Sequence, residues 1–227
     1  MLWVKICGMT TVEDALSAAE SGADAIGLIF APSKRQVTPE VAREIVQKLP
    51  KTLEKVGVFS NESAQRIEEI AAEVGLTAAQ LHGDESALFA GTLFRHGGAR
   101  SRAQMRVFKT LHVTAGIEGR AREFLLEKCV DGFLLDSMAY DPTTGRVERG
   151  GTGQKFDWTR ANEFLPGVQR QTRVIVAGGL TPENVGYAIC TLQPWGVDVC
   201  SGVEREPGKK DGAKVKAFIA AAREARN

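Results

Sequence analysis

Cys7, Arg35, His82 and Asp136 are the side chains of this sequence best placed for chemistry, because each stands where a short apolar run gives way to a loop. Cys7 closes the run Leu2–Cys7 and is followed by Gly8, and Asp136 closes Phe133-Leu134-Leu135. A thiolate can take a proton and a carboxyl can give one, so the two together suit general acid–base work on a small molecule. Cysteine is often no more than a small buried hydrophobe, but a charged group ending a buried run is more often chemical than structural. Arg35 supplies a fixed positive charge. His82 has no second histidine at ligand spacing, so it reads as a hydrogen-bonding residue and no metal site is expected. Cys129, Cys190 and Cys200 read as packing residues.

Three glycine-rich turns complete the set: Gly150-Gly151-Thr152-Gly153, Gly178-Gly179 and Ser201-Gly202. Glycine lets backbone amides approach an anion without a side chain in the way, and a following helix adds a favourable dipole. One glycine pair is weak evidence. Three at matching places predict a phosphate site, and with it a small phosphorylated ligand.

These residues need a scaffold that brings run ends together. Eight strand-like runs recur: Leu2–Cys7, Ala25–Phe30, Lys55–Phe59, Ala78–Leu81, Arg106–Leu111, Gly132–Asp136, Arg173–Ala177 and Val197–Cys200. They are short and apolar on both faces, as strands covered on both sides are. Helix signals lie between them. Thr10-Thr11-Val12-Glu13 reads as a capping box, and Thr38-Pro39 and Thr181-Pro182 each place an N-cap before a proline at the first helical position. Ile67, Ile70, Ala71 and Val74 make one helical face, and Val215, Phe218, Ile219 and Ala222 another. Eight such units predict an α/β fold, a single (β/α)₈ TIM barrel over residues 1–227, with an open doubly wound sheet as competitor. In a barrel the run ends share one face, and phosphate sites commonly use the loops after strands seven and eight. Two connections are long: the basic Arg95–Arg106, expected as a solvated loop on the far face, and Ser137–Gly153, a candidate lid.

Composition excludes several classes. The charges nearly cancel, 29 Lys+Arg against 28 Asp+Glu, so no overall field favours nucleic acid or anionic lipid. No run approaches the ~20 apolar residues of a membrane span, and MLWVKICGMT carries no secretory pattern. Four scattered cysteines suggest neither a disulfide framework nor zinc. A reduced, cytoplasmic protein is expected, acting on a small molecule as a monomer or homodimer.

Taken in order, Lys5-Ile6-Cys7-Gly8, Gly22–Gly27, Gln80-Leu81-His82-Gly83-Asp84-Glu85, Leu135-Asp136, Gly150–Gly153 with Phe156-Asp157-Trp158, Ala177–Leu180 and Gly196-Val197-Asp198 with Ser201–Glu204 resemble the phosphoribosylanthranilate isomerase family. The resemblance runs from residue 3 to about residue 218. It implies a TIM barrel without a cofactor that performs an Amadori rearrangement in tryptophan biosynthesis. By position, Cys7 would be the general base and Asp136 the general acid. Arg35 would face the anthranilate carboxylate, with His82, Gly153, Gly178, Gly179, Asp198, Ser201 and Gly202 around the rest of the substrate. Three departures stand out: Ser33-Lys34-Arg35 where the family often has Ser-Pro-Arg, Cys200 where a serine is common, and the basic Arg95–Arg106 stretch, which looks like an insertion.

That chemistry needs a proton delivered to the ring oxygen and one removed from C2′, so one acid and one base suffice. The base must work as thiolate and the acid protonated, which predicts a depressed Cys7 and a raised Asp136. A ribulose-phosphate epimerase would call for more metal-binding histidines than His82, His96 and His112 offer. A histidine-pathway isomerase would carry Asp in place of Cys7. A non-catalytic phosphometabolite binder has no use for both Cys7 and Asp136.

Overall fold

The computed structural model describes residues 1–96, 105–114, 116–136, 138–140, 147–149 and 165–226. Eight parallel strands close into a barrel: β1 (Trp3–Ile6), β2 (Ala25–Ile29), β3 (Glu54–Phe59), β4 (Ala78–Leu81), β5 (Arg106–His112), β6 (Gly132–Asp136), β7 (Arg173–Val176) and β8 (Gly196–Val199). The hydrogen-bonded order is β1-β8-β7-β6-β5-β4-β3-β2. Closure comes from β1 against β8, with Trp3 opposite Gly196 and Lys5 opposite Asp198. The helices between strands are α1 (Val12–Glu20), α2 (Pro39–Gln47), α3 (Ala64–Val74), α4 (Ala87–His96), α5 (Ile117–Glu127), α6 (Val185–Leu192) and α7 (Gly212–Glu224), with residues 165–169 also helical. Among the described residues no helix is long and apolar enough to cross a membrane.

Alternation along each strand sends every second side chain inward, and these form tiers. The floor is apolar: Trp3, Ala25, Val56, Ala78, Phe108, Leu134 and Ile175. Two residues further along come Lys5, Gln80, Thr110 and Asp198, polar and buried. Two further still come Cys7, His82 and His112, and Asp136 stands beside His112 in the register although it is only two residues past Leu134. The strands' outer faces and the helices share a separate apolar layer that includes Val4, Ile6, Ile26, Leu81, Phe133 and Val197.

Local signals hold with three adjustments. Thr38 caps α2 with Pro39 in its first turn. The α1 cap is Thr11, bonded by the Asp14 amide, because the Thr10 hydroxyl is drawn to the Gly208 carbonyl at 2.5 Å. Helix α6 begins at Val185 rather than Pro182, since Asn184 turns back to take the Thr181 amide and donate to the Gly179 carbonyl. Cys190, expected in packing, is exposed, whereas Cys129 is buried. Most of the basic Arg95–Arg106 stretch lies outside the described residues. So does most of Ser137–Gly153, apart from a hairpin of Met138–Tyr140 with Val147–Arg149.

Candidate active site

Cys7 sits at the C-terminal end of β1, 5% exposed, its amide bonded to the Val199 carbonyl at 2.8 Å. Gly8 follows at φ 77°, and a Cβ there would come within 2.9 Å of both the Arg35 Cδ and the Cys200 Sγ. Only glycine lets these side chains close around the turn. Cys200, just past β8, donates its thiol to the Cys7 sulfur. That bond, with the charges of Lys5 and Lys210, brings Cys7 down to about 7, although burial and Asp198 push the other way. The same bond and burial hold Cys200 well above the ordinary thiol range, so it stays the donor. The depressed thiol follows the sequence expectation in direction. Its largest cause is a residue that sequence reading assigned to packing.

Beneath Cys7 the Lys5 ammonium is buried between the Asp198 carboxylate at 3.0 Å and the Gln80 amide oxygen at 2.9 Å. Burial alone would drive Lys5 toward neutrality, but Asp198 and Cys7 reverse the sign and raise its pKa. A buried pair rarely adds stability over an apolar pair of the same volume. Its value here is the fixed positive charge under the thiol. Asp198 therefore serves the site from below.

Asp136 ends β6 and is 6% exposed. The His82 Nε2 stands 3.7 Å from its carboxylate. The other ring nitrogen of His82 faces the Gln80 amide at 3.3 Å and the Thr110 hydroxyl at 3.2 Å, and His112 packs edge-on at 5.7 Å between ring centroids. The loop after β4 is fixed by the buried Lys109, which donates to the Gly83 carbonyl at 2.6 Å and the Glu85 carboxylate at 2.8 Å. A chain of polar side chains thus crosses the barrel from Lys5 through Gln80 and His82 to Asp136.

Arg35 grips Glu204 with a two-pronged bond, Nε at 2.8 Å and Nη2 at 2.7 Å. Lys210 reaches the same carboxylate at 2.9 Å, the Cys200 carbonyl at 3.1 Å and the Cys200 sulfur at 3.9 Å. Burial works against the Glu204 charge, and Arg35 and Lys210 outweigh it to hold its pKa below the ordinary carboxylate value. Two cations share one anion, leaving net positive charge beside Cys7. Lys5 and Glu204 lay inside the motifs that resemble the family but were given no role, and Lys210 carried no signal. Alternation inward from Cys7 would have found Lys5. Lys210 and Glu204 arrive through a hairpin, Glu204–Glu206 against Lys209–Lys210, that only the fold brings to the rim.

The turns after β7 and β8 meet. Gly178 and Gly179 both have positive φ, 80° and 68°. Ser201 and Gly202 open a short 3₁₀ turn, and a Cβ on Gly202 would fall 1.9 Å from the Leu180 carbonyl oxygen. Main chain packs directly on main chain there. Gly153, with the rest of Gly150–Gly153 and Phe156-Asp157-Trp158, lies outside the described residues. The other candidate residues share the strands' C-terminal rim, apart from Asp198, which lies one tier below.

A family model described as N-(5'phosphoribosyl)anthranilate (PRA) isomerase matches residues 4–221. The N-(5'-phosphoribosyl)anthranilate isomerase of Pelobacter propionicus is 40% identical over 228 residues, covering 100% of this chain and 98% of that one. That of Citrifermentans bemidjiense is 42% identical over 224 residues, 98% of each. Among solved structures, the phosphoribosyl anthranilate isomerase of Thermotoga maritima superposes with a TM-score of 0.82 at 40% identity, over 99% of this chain and 100% of that one. Another isomerase of this kind, at TM-score 0.79 and 38% identity over 99% and 100% of the two chains, holds reduced 1-(o-carboxyphenylamino)-1-deoxyribulose 5-phosphate.

Proposed function

Because this chain belongs to the N-(5'-phosphoribosyl)anthranilate isomerase family, we propose that Cys7 is the base and Asp136 the acid of the rearrangement that family is named for. The chain is an isomerase of tryptophan biosynthesis, converting N-(5'-phosphoribosyl)anthranilate to the carboxyphenylamino-deoxyribulose phosphate. Asp136 delivers a proton to the ribose ring oxygen, which opens the ring to a Schiff base. Cys7 then removes the C2′ proton, and the enolamine that results relaxes to the ketone. Residues 1–227 act as one barrel domain on this reading.

The observation that carries the assignment is the surroundings of Cys7. A free thiol ionises near ~8.5 and is a poor base at neutral pH. Here Cys200 and the buried Lys5 bring the thiol to about 7, so it is substantially thiolate where the enzyme works. Asp136 stands across the rim, three strands away around the ring. The substrate phosphate would lie on the amides of the turns at Gly178-Gly179 and Ser201-Gly202. The anthranilate carboxylate would meet the positive charge around Arg35 and Lys210. Holding both ends fixes the reacting carbons between base and acid.

The test is to mix the purified protein with freshly made phosphoribosylanthranilate and follow the loss of its fluorescence. Turnover abolished in both Cys7→Ala and Asp136→Ala, with substrate still bound, is the expected result. Near wild-type kcat in either folded variant would remove that residue from the mechanism.

A further inference from the structure

Cys7 and Cys200 stand on neighbouring strand ends in a register that the barrel fixes. Lys5 lies opposite Asp198 and Ile6 opposite Val199, so the next pair along is Cys7 with Cys200. Lys5 and Asp198 both point inward and meet at 3.0 Å. Two residues further on, the cysteines face the same way. Adjacent strands run roughly 4.8 Å apart, inside the Cα separation of about 4.4–6.8 Å that a disulfide spans. Each thiol is the largest influence on the other's ionisation. Both are free, Cys200 is partly open to solvent, and Lys210 adds positive charge beside them.

We propose that Cys7 and Cys200 form a reversible disulfide on exposure to a peroxide, making the pair an oxidative modification site at the rim of the barrel. The Cys7 thiolate attacks one peroxide oxygen. The O–O bond breaks, the sulfur gives up two electrons to become a sulfenic acid, and the other oxygen leaves as hydroxide, which is protonated to water. The Cys200 sulfur then attacks the Cys7 sulfur. The S–S bond forms, the S–O bond breaks, and the hydroxyl leaves with the Cys200 proton as water. A dithiol reverses the bond by two exchanges and is itself oxidised. A thiolate ionised near neutral pH beside a protonated resolving thiol is the arrangement such chemistry needs. That the bond stops turnover rests on Cys7 being the base; that it forms does not.

The experiment exposes wild type and Cys200→Ser to hydrogen peroxide, each also carrying Cys190→Ser to remove the exposed thiol. Turnover is measured before and after dithiothreitol, and digests made without reductant are mapped by mass spectrometry. In the protein with Cys200 the expected result is a peptide pair joined through Cys7 and Cys200, with nearly all turnover lost and then restored by dithiothreitol. In Cys200→Ser no joined pair forms. Cys7 proceeds to the sulfinic acid, and the loss survives the reductant. Absence of the joined pair in the oxidised protein, or equal recovery in both proteins after the same exposure, overturns the proposal. A joined pair with turnover intact supports the redox pair and removes Cys7 as base instead.

Discussion

A base that ionises near neutral pH leaves its mark on the rate profile. In the proposed role Cys7 acts deprotonated, so kcat/KM should fall as pH drops below about 7. The acid must keep its proton, so the rate should fall again on the alkaline side and the profile should be a bell. Removing the Cys200 donor takes a hydrogen bond away from the thiolate and favours the thiol. Cys200→Ala should therefore move the acid limb to higher pH, while Cys200→Ser, which keeps a donor, should move it less. An unmoved limb in Cys200→Ala would leave Lys5 and Lys210 as the groups that set the thiol. Cys7→Ala and Asp136→Ala should each cost several orders of magnitude in kcat, and the double variant little more than the worse single one, because both serve one reaction path. Additive losses would point to separate paths. That Cys7 and Asp136 stand at strand ends on the rim was legible in the sequence, because a reactive side chain closing an apolar run is a local signal. Cys200 was not, since its meaning depends on strand register across the seam between β1 and β8, which no neighbouring residue encodes.

The turns after β7 and β8 behave as one unit because Gly202 rests on the Leu180 carbonyl. A methyl group placed 1.9 Å from that oxygen forces one turn off the other. Overpacking of this kind costs about 1–3 kcal/mol. Gly202→Ala is expected to raise KM for the phosphorylated substrate and the inhibition constant of inorganic phosphate together, with kcat changed much less. Steady-state kinetics with and without phosphate tests it; a lower melting temperature with both constants unchanged would place the phosphate elsewhere. The glycine turns were visible in the sequence, but their mutual contact was not. The misplaced helix starts have the same origin. Thr10 and Thr181 look like caps locally, and a distant carbonyl at Gly208 and the side chain of Asn184 redirect them. Propensity proposes a cap, and tertiary hydrogen bonds decide which hydroxyl serves.

Closure of the ring is the property that makes eight strand–helix units a barrel and not an open sheet. Counting runs favoured the barrel, but the seam itself is a long-range pairing without a local signature. One side chain braces β1 from outside, tying it to α7. Arg223 on α7 donates to the Leu2 carbonyl, to the Gly22 carbonyl at 3.0 Å and to Asp24 at 2.7 Å, and Asp24 also takes the Val4 amide at 2.8 Å. Hydrogen bonds to charged groups contribute roughly 1.5–3 kcal/mol each when partly buried. Arg223→Ala should lower Tm by roughly 2–4 °C for each kcal/mol lost, while kcat of the folded protein stays near wild type, since this brace lies at the end of the barrel away from Cys7. Calorimetry beside an activity assay checks it, and an unchanged Tm would show that β1 needs no such brace. The mouth of the same barrel divides its labour unevenly. One arc, at Gly178, Gly179 and Gly202, presents main chain to the mouth, while the arc at Arg35, His82, Glu204 and Lys210 presents side chains. Point mutation rewrites side chains freely and main chain hardly at all. Drift in a lineage, or selection in a library, can therefore retune what this mouth reads at one end of a ligand while its hold on the other end is inherited intact.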